Sequence, residues 1–271
     1  SHYQNAGVTH VQQLSYAMAH VNEYLNVAEN ESYLKQIKEL HLQVSVGGNY
    51  FFEIAKLRAL RVLIFSLLSE YELDIPIKII AEPSLRNKTL YDYNVNMLRT
   101  TTECMSAILG NADVVCNHNY DYIYKNENEF ANRISRNQLL ILKNESYFDK
   151  VQNPADGSYY IESLTHQLQE KAMAIFQDIE QGGGFIKQLF EGKIQKKIKE
   201  SDAKEREEFA STKKKLVGTN AYENKDEKVD SNFEKNPFME TKTRKTLIEP
   251  IIAKRLAEDL EKSRINTKGE A

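Results

Sequence analysis

The chain has 271 residues, with 36 Lys plus Arg against 39 Asp plus Glu and a net charge of −3. That balance argues against sequence-independent binding of nucleic acid, which draws on a basic excess. The 41% hydrophobic and 10% aromatic residues supply a sizeable core, no stretch reaches the roughly 20 apolar residues that span a bilayer, and two cysteines, Cys104 and Cys116, are too few for a disulfide framework and point to a reducing, cytoplasmic setting.

Val11, Leu14, Met18, Val21 and Leu25 recur at helical spacing and predict an amphipathic helix over residues 9–29. Residues 41–46 alternate polar and apolar side chains, a strand signal that Gly47-Gly48 ends. A second helix is predicted over 50–71 and a second strand over 76–81. Val95, Leu98, Thr102, Met105 and Leu109 mark the next helix, broken at Gly110-Asn111. Residues 112–116 are short and β-branched, a third strand, and 130–142 form a fourth helix. The order is one helix and then three strand–helix pairs, with a further strand expected before residue 1. Such repeats favour a parallel sheet covered by crossover helices. About four units in residues 1–150 make roughly half of a (β/α)8 TIM barrel, which takes about 250 residues for eight. The expected fold is therefore α/β, a partial barrel, with the remaining strands supplied from upstream.

The character changes after the turn cluster Asn153-Pro154-Ala155-Asp156-Gly157. Residues 158–216 read as mostly helix with a break at Gly182-Gly183-Gly184, so an α-helical extension is assigned to 151–217. Apolar periodicity then disappears, which makes 218–245 an extended linker that buries little surface. Residues 246–271 form a C-terminal tail with a short helix predicted over 252–262, after Pro250.

The triple glycine follows a helix and lacks phosphate-loop spacing, so it reads as a helix break. Lys213-Lys214-Lys215 follows Asp202, Glu205, Glu207 and Glu208 and reads as a solvated helix face. Neither cysteine has a partner at metal-ligand spacing. His10, His20 and His166 fall on predicted helices, and His41 opens a strand at the end away from any pocket. In a barrel the loops after the strands carry the site. Those loops contain His2, Gln4, Asn49, Glu82, Arg86 and His118 as candidate pocket-lining residues. They hold no paired carboxylates, no nucleophile–base pair and no metal triad, so no catalytic or metal-binding residue is expected in this chain.

Four strings, in order and at sensible distances, carry a family resemblance. They are Asn49-Tyr50-Phe51-Phe52-Glu53-Ile54-Ala55-Lys56-Leu57-Arg58-Ala59-Leu60-Arg61, then Val95-Asn96-Met97-Leu98-Arg99-Thr100-Thr101-Thr102-Glu103, then Arg133-Ile134-Ser135-Arg136-Asn137-Gln138, and finally the stretch from Asn153 through Gly157 to Thr165. Over about residues 1–216 the chain resembles the methylmalonyl-CoA mutases, the second string their small subunits in particular. The resemblance implies the second half of a barrel that threads an acyl-CoA along its axis. It also implies an adenosylcobalamin radical isomerisation of methylmalonyl-CoA to succinyl-CoA.

Departures from the family pattern bear on the role. The cobalt-ligating Asp-x-His-x-x-Gly is absent, which implies that this chain binds no cofactor and that adenosylcobalamin sits in a large catalytic partner subunit. Ser1-His2-Tyr3-Gln4-Asn5-Ala6-Gly7 replaces the Tyr-His-Met-Gln-Glu-Ala-Gly of catalytic subunits. One alignment keeps His2 in the thioester-contacting position, and another, to small subunits, puts Gln4 there. Ala81-Glu82-Pro83-Ser84-Leu85-Arg86 does not match the Arg-x-His-x-Gln-x-Ser-Gly strand end of catalytic subunits, and an acid there opposes an anionic acyl-CoA. The resemblance thus implies a structural small subunit in a heterodimer that binds acyl-CoA as a complex, with no nucleic-acid or membrane partner. The alternative is a catalytic acyl-CoA mutase barrel whose cobalamin domain is a separate chain.

Overall fold

The computed structural model describes residues 1–227, 229, 233–240 and 245–269. A short helix α1 (His2–Asn5) stands where the sequence suggested only a loop, and α2 (His10–Asn30) follows. The first turn of α2 is set by a capping box. Thr9 Oγ1 accepts from the Gln12 N–H at 3.3 Å while the Gln12 side chain accepts from the Thr9 N–H at 3.0 Å.

Three strand–helix pairs come next. They are β1 (Leu40–Val46) with α3 (Tyr50–Glu70), β2 (Ile77–Pro83) with α4 (Val95–Leu109), and β3 (Val114–Val115) with α5 (Glu129–Asn144). The strands form one parallel sheet in the order β1-β2-β3, with Leu42 opposite Ile79 and Ile80 opposite Val114. β3 is shorter than the predicted 112–116. The ladder nonetheless continues through single bonds on either side, Asp113 N–H to Ile79 O and Cys116 N–H to Ala81 O, each 2.9 Å.

The two faces of the sheet differ. Leu42, Val46, Ile77, Ile79 and Ala81 point into the main core with Leu14, Met18 and Val21 of α2 and Leu57, Leu60 and Ile64 of α3. His41, Gln43, Lys78 and Val114, on the other face by the alternation of strand side chains, are exposed. Gly110, at the end of α4, lets that helix approach α3: a Cβ there would lie 2.8 Å from Leu57 Cδ1.

The helices after the turn cluster are α6 (Tyr159–Gln181), α7 (Phe185–Phe190) and α8 (Lys193–Ala210), broken at the predicted triple glycine. Gly183 and Gly184 have φ of +95° and +89°, which glycine adopts without steric cost. Leu168 and Ala172 of α6 enter the same core as α2 and α3.

The last helix, α9, spans Glu258–Gly269, not the predicted 252–262. The reason lies in the main chain before it. Lys254 N–H bonds Asn5 O at 3.1 Å and Leu256 N–H bonds Arg86 O at 2.8 Å, so these donors go to the strand-end loops instead of to a helical ladder. Part of the predicted linker, at 228, 230–232 and 241–244, lies outside the described residues. Its described ends are anchored: the Asn220 side chain bonds Leu216 N, Phe209 O and Lys214 O, and the Glu234 and Lys235 N–H groups both point at Tyr124 O.

Candidate functional site

The C-terminal ends of the strands bring several candidate residues together. After β1 the Gly47 N–H donates to Glu53 Oε1 at 2.8 Å, which folds the loop back onto the first turn of α3. The same oxygen accepts from Gln4 Nε2 at 2.8 Å and lies 3.2 Å from His10 Nε2. Lys56, one turn further along α3, sits 2.5 Å from Glu53 Oε2. Its ammonium also donates to Ser45 O at 2.6 Å, and to Gln4 Oε1 and Gln13 Oε1 at 3.0 Å each. Glu53 and Lys56 are only 1% and 2% exposed, and charges this deeply buried persist only where they are paired and hydrogen-bonded. Burial pushes the Glu53 carboxyl up, but the Lys56 ammonium and His10 outweigh it and hold the group well below the usual carboxylate range. For Lys56 burial wins over the attraction of Glu53 and draws its pKa down. A side chain at Gly47 would push Gln4 out of this network, since a Cβ would meet Gln4 Nε2 at 2.9 Å.

The loop after β2 is pinned by Asn5, whose Oδ1 accepts from Ser84 Oγ at 2.8 Å and from the Leu85 N–H at 2.9 Å. Beyond it, Lys88 and Glu103 form a second buried pair at 2.7 Å, joined by Asn87 Nδ2 at 2.7 Å from Glu103 Oε1. Burial raises the Glu103 carboxyl and lowers the Lys88 ammonium, each shift partly offset by the partner's charge.

Each residue singled out from the sequence has a definite place. Gln4 is held between Glu53 and Lys56. Glu82 and His118 face one another at 3.8 Å, too long for a hydrogen bond. Burial lowers the His118 pKa against the pull of Glu82, and the ring stacks on Tyr122 with ring centroids 5.0 Å apart. Arg86 is engaged by α8 and the C-terminal segment. It bonds Asp202, donates from Nε to Glu205 Oε2 at 3.0 Å, and donates from Nη1 to Lys254 O at 2.5 Å. His2 Nε2 lies 2.8 Å from Ile251 O. Asn49 is exposed at the N-cap of α3 and makes no side-chain cap bond.

Four polar residues were missed from sequence: Glu53, Lys56, Lys88 and Glu103. Two of them carried a signal. Glu53 and Lys56 are three apart on an otherwise apolar stretch of α3, the spacing at which opposite charges meet on one helix face.

Among the described residues no group of three or more His, Cys, Asp or Glu side chains is placed to hold a metal ion. The remaining histidines are engaged elsewhere: His20 with Tyr3 Oη at 2.5 Å, His41 with Glu39 at 2.8 Å, and His166 with Glu170 at 3.5 Å. The strand-end geometry thus assembles ion pairs and hydrogen bonds that hold loops and helices.

Comparison with known proteins agrees on one family. The profile described as methylmalonyl-CoA mutase matches residues 1–265. The chain is 37% identical over 227 residues to a methylmalonyl-CoA mutase small subunit of Porphyromonas gingivalis, covering 81% of this chain and 37% of that protein. It is 34% identical over 230 residues to a methylmalonyl-CoA mutase of Cereibacter sphaeroides, covering 82% and 32%. A small subunit of Streptomyces virginiae is 31% identical over 228 residues, covering 81% and 36%. The chain thus spans about a third of the length of the relatives it matches, and along that third it belongs to the methylmalonyl-CoA mutase family.

Proposed function

We propose that this chain is part of the small, non-catalytic subunit of a heterodimeric, adenosylcobalamin-dependent methylmalonyl-CoA mutase in the cytoplasm. Residues 1–150 are the second half of its TIM barrel, 151–217 a helical extension, 218–245 a linker and 246–271 the tail. Small-subunit relatives from two organisms support the subunit assignment. The parallel β1-β2-β3 order and the open polar face of the sheet support a barrel wall whose inner side is closed by further strands.

One observation carries the non-catalytic role. Three of the six polar groups where barrel chemistry would be done are already committed within this chain: Gln4 to Glu53 and Lys56, Arg86 to Asp202 and Glu205, and His2 to Ile251 O. A substrate would have to break those bonds to use them. The histidines do not fit a cobalt ligand either, since each has a polar partner within this chain or, for His118, stacks half-buried on Tyr122. The large partner subunit therefore holds the cofactor and isomerises methylmalonyl-CoA to succinyl-CoA. This chain supplies a scaffold.

The test is to co-purify the full-length small subunit with its partner and assay mutase activity with Glu82→Gln and His2→Gln in place. Activity near wild type is expected. A loss of a hundredfold or more, about 2.7 kcal/mol in barrier, with unchanged thermal stability would show that these side chains take part in the reaction.

A further inference from the structure

A cavity of about 410 Å³ lies beside the strand-end cluster, between the loops after β2 and β3 and the C-terminal segment. Its walls are mostly apolar, with Leu85, Tyr122, Ile123, Phe238 and Met239 among them. Its size and lining are those of small-molecule sites, which combine apolar walls with a few placed polar groups. It is also preformed. The segments that wall it are stitched together by Glu234 and Lys235 N–H to Tyr124 O, Leu256 N–H to Arg86 O, and Met239 N–H to Glu258 Oε1 at 2.7 Å.

The charges on its lining are unequal. Arg86, Lys235, Lys254 and Arg255 border it against Glu258 as the single carboxylate. Three of these cations are engaged by acids: Arg86 by Asp202 and Glu205, Lys254 by Asp259 and Arg255 by Glu261. Lys235 has no carboxylate partner among the described residues. Its ammonium lies 4.6 Å from the centroid of the Tyr122 ring. That ring stacks in turn on His118, with centroids 5.0 Å apart. A cation without a carboxylate partner among the described residues, at a mostly apolar cavity, matches one negative charge on an apolar body. A doubly charged phosphate would leave a charge uncompensated in a mostly apolar space.

We infer that this cavity binds a monoanionic carboxylate with an aromatic or similarly flat apolar body, the carboxylate paired with Lys235. The rings rest against Phe238 and Met239. Nothing in this assignment requires the barrel chemistry, and no bond is made or broken.

The test uses 2-naphthoate as the probe and titrates the full chain by calorimetry. Saturable binding at one site is expected. Lys235→Glu weakens it by at least about tenfold, the scale of a lost charge-assisted contact, and the neutral 2-naphthamide binds correspondingly worse. Lys197→Glu, an exposed position on α8, leaves the affinity unchanged. Circular dichroism confirms that each variant is folded, and Met239→Gln provides a second, milder probe of the wall if Lys235→Glu does not fold. Absence of saturable binding would overturn the inference. Equal affinity for the amide, or loss of binding in Lys197→Glu as large as in Lys235→Glu, would overturn it as well.

Discussion

The ends of β1 and β2 begin from similar materials, polar loops leading into helices, and use them differently. At the end of β1 the charges are close in sequence. Glu53 and Lys56 are one turn apart, and with Gln4 and the Gly47 N–H they seal the loop against its own helix. At the end of β2 the charges reach far along the chain. Arg86 binds Asp202, Glu205 and Lys254 O, while Arg255 donates to Lys88 O, Pro237 O and Glu261. The first arrangement stiffens a strand–helix corner. The second fastens a distant segment to the loop after β2 and leaves a cavity beside it. Buried ion pairs therefore have two separable uses in one molecule, and mutation can tell them apart.

The largest effect is expected at the β1 corner. Lys56→Met leaves the Glu53 carboxylate buried without its counter-charge and should cost about 3–5 kcal/mol of stability, read from urea unfolding. The double variant Glu53→Leu with Lys56→Met should recover most of that loss, because neither charge then needs compensation. If single and double variants lose the same amount, the corner depends on the shape of these side chains and not on their charge.

Acid should probe the same corner. The Glu53 carboxyl sits below its ordinary 4.5, so its contribution is fully present above that value and drains away as pH falls toward the folded pKa. Glu205, lowered despite burial by Arg86 and Lys214, acts in the same direction. Glu103, raised by burial, acts in the opposite one. Net stability should fall on acidification below about pH 4.5, and the fall should be shallower in Glu53→Gln. His118, lowered from 6.5, resists protonation in the folded state, so His118→Asn should remove a small loss of stability below that pH.

At the β2 end the expected outcome is local. Arg255→Met removes the charge-assisted bonds of a buried pair, in which Arg255 is 7% and Glu261 0% exposed, at a cost of about 3 kcal/mol. Trypsin should then cut around Lys262 and Arg264 sooner, while the region 50–110 stays intact. Early cuts within 50–110 would mean that the C-terminal fastening also supports the core. Two smaller effects set the baseline. Gly110→Ala forces Leu57 aside and should cost about 1–3 kcal/mol, and Thr9→Ala, which removes the α2 cap, about 1 kcal/mol.

Much of the chain could be read from its residues alone. Apolar spacing gives α2 through α5 to within a residue or two, and the alternation of residues 41–46 gives β1. The strand-end network was harder. Gln4 and Arg86 are visible as candidates, yet nothing local says that they will be consumed by Lys56 and Asp202, whose partners are set by tertiary packing. The start of α9 was hidden for a related reason. Helical propensity over 252–257 is overridden by main-chain donors that find Asn5 and Arg86 carbonyls instead.

The fastening at the β2 end also orders events in time. Leu90 N–H meets Glu261 Oε1 across 171 positions and Arg86 meets Lys254 O across 168, whereas the Glu53–Lys56 pair closes within a single helical turn. Contacts so far apart must wait for loop closure, and during synthesis residues 254–261 leave the ribosome long after the strand-end loop they fasten. The strand–helix pairs must therefore stand for a time with their ends bare, and the sealed β1 corner, complete without the tail, is suited to carry them through that interval.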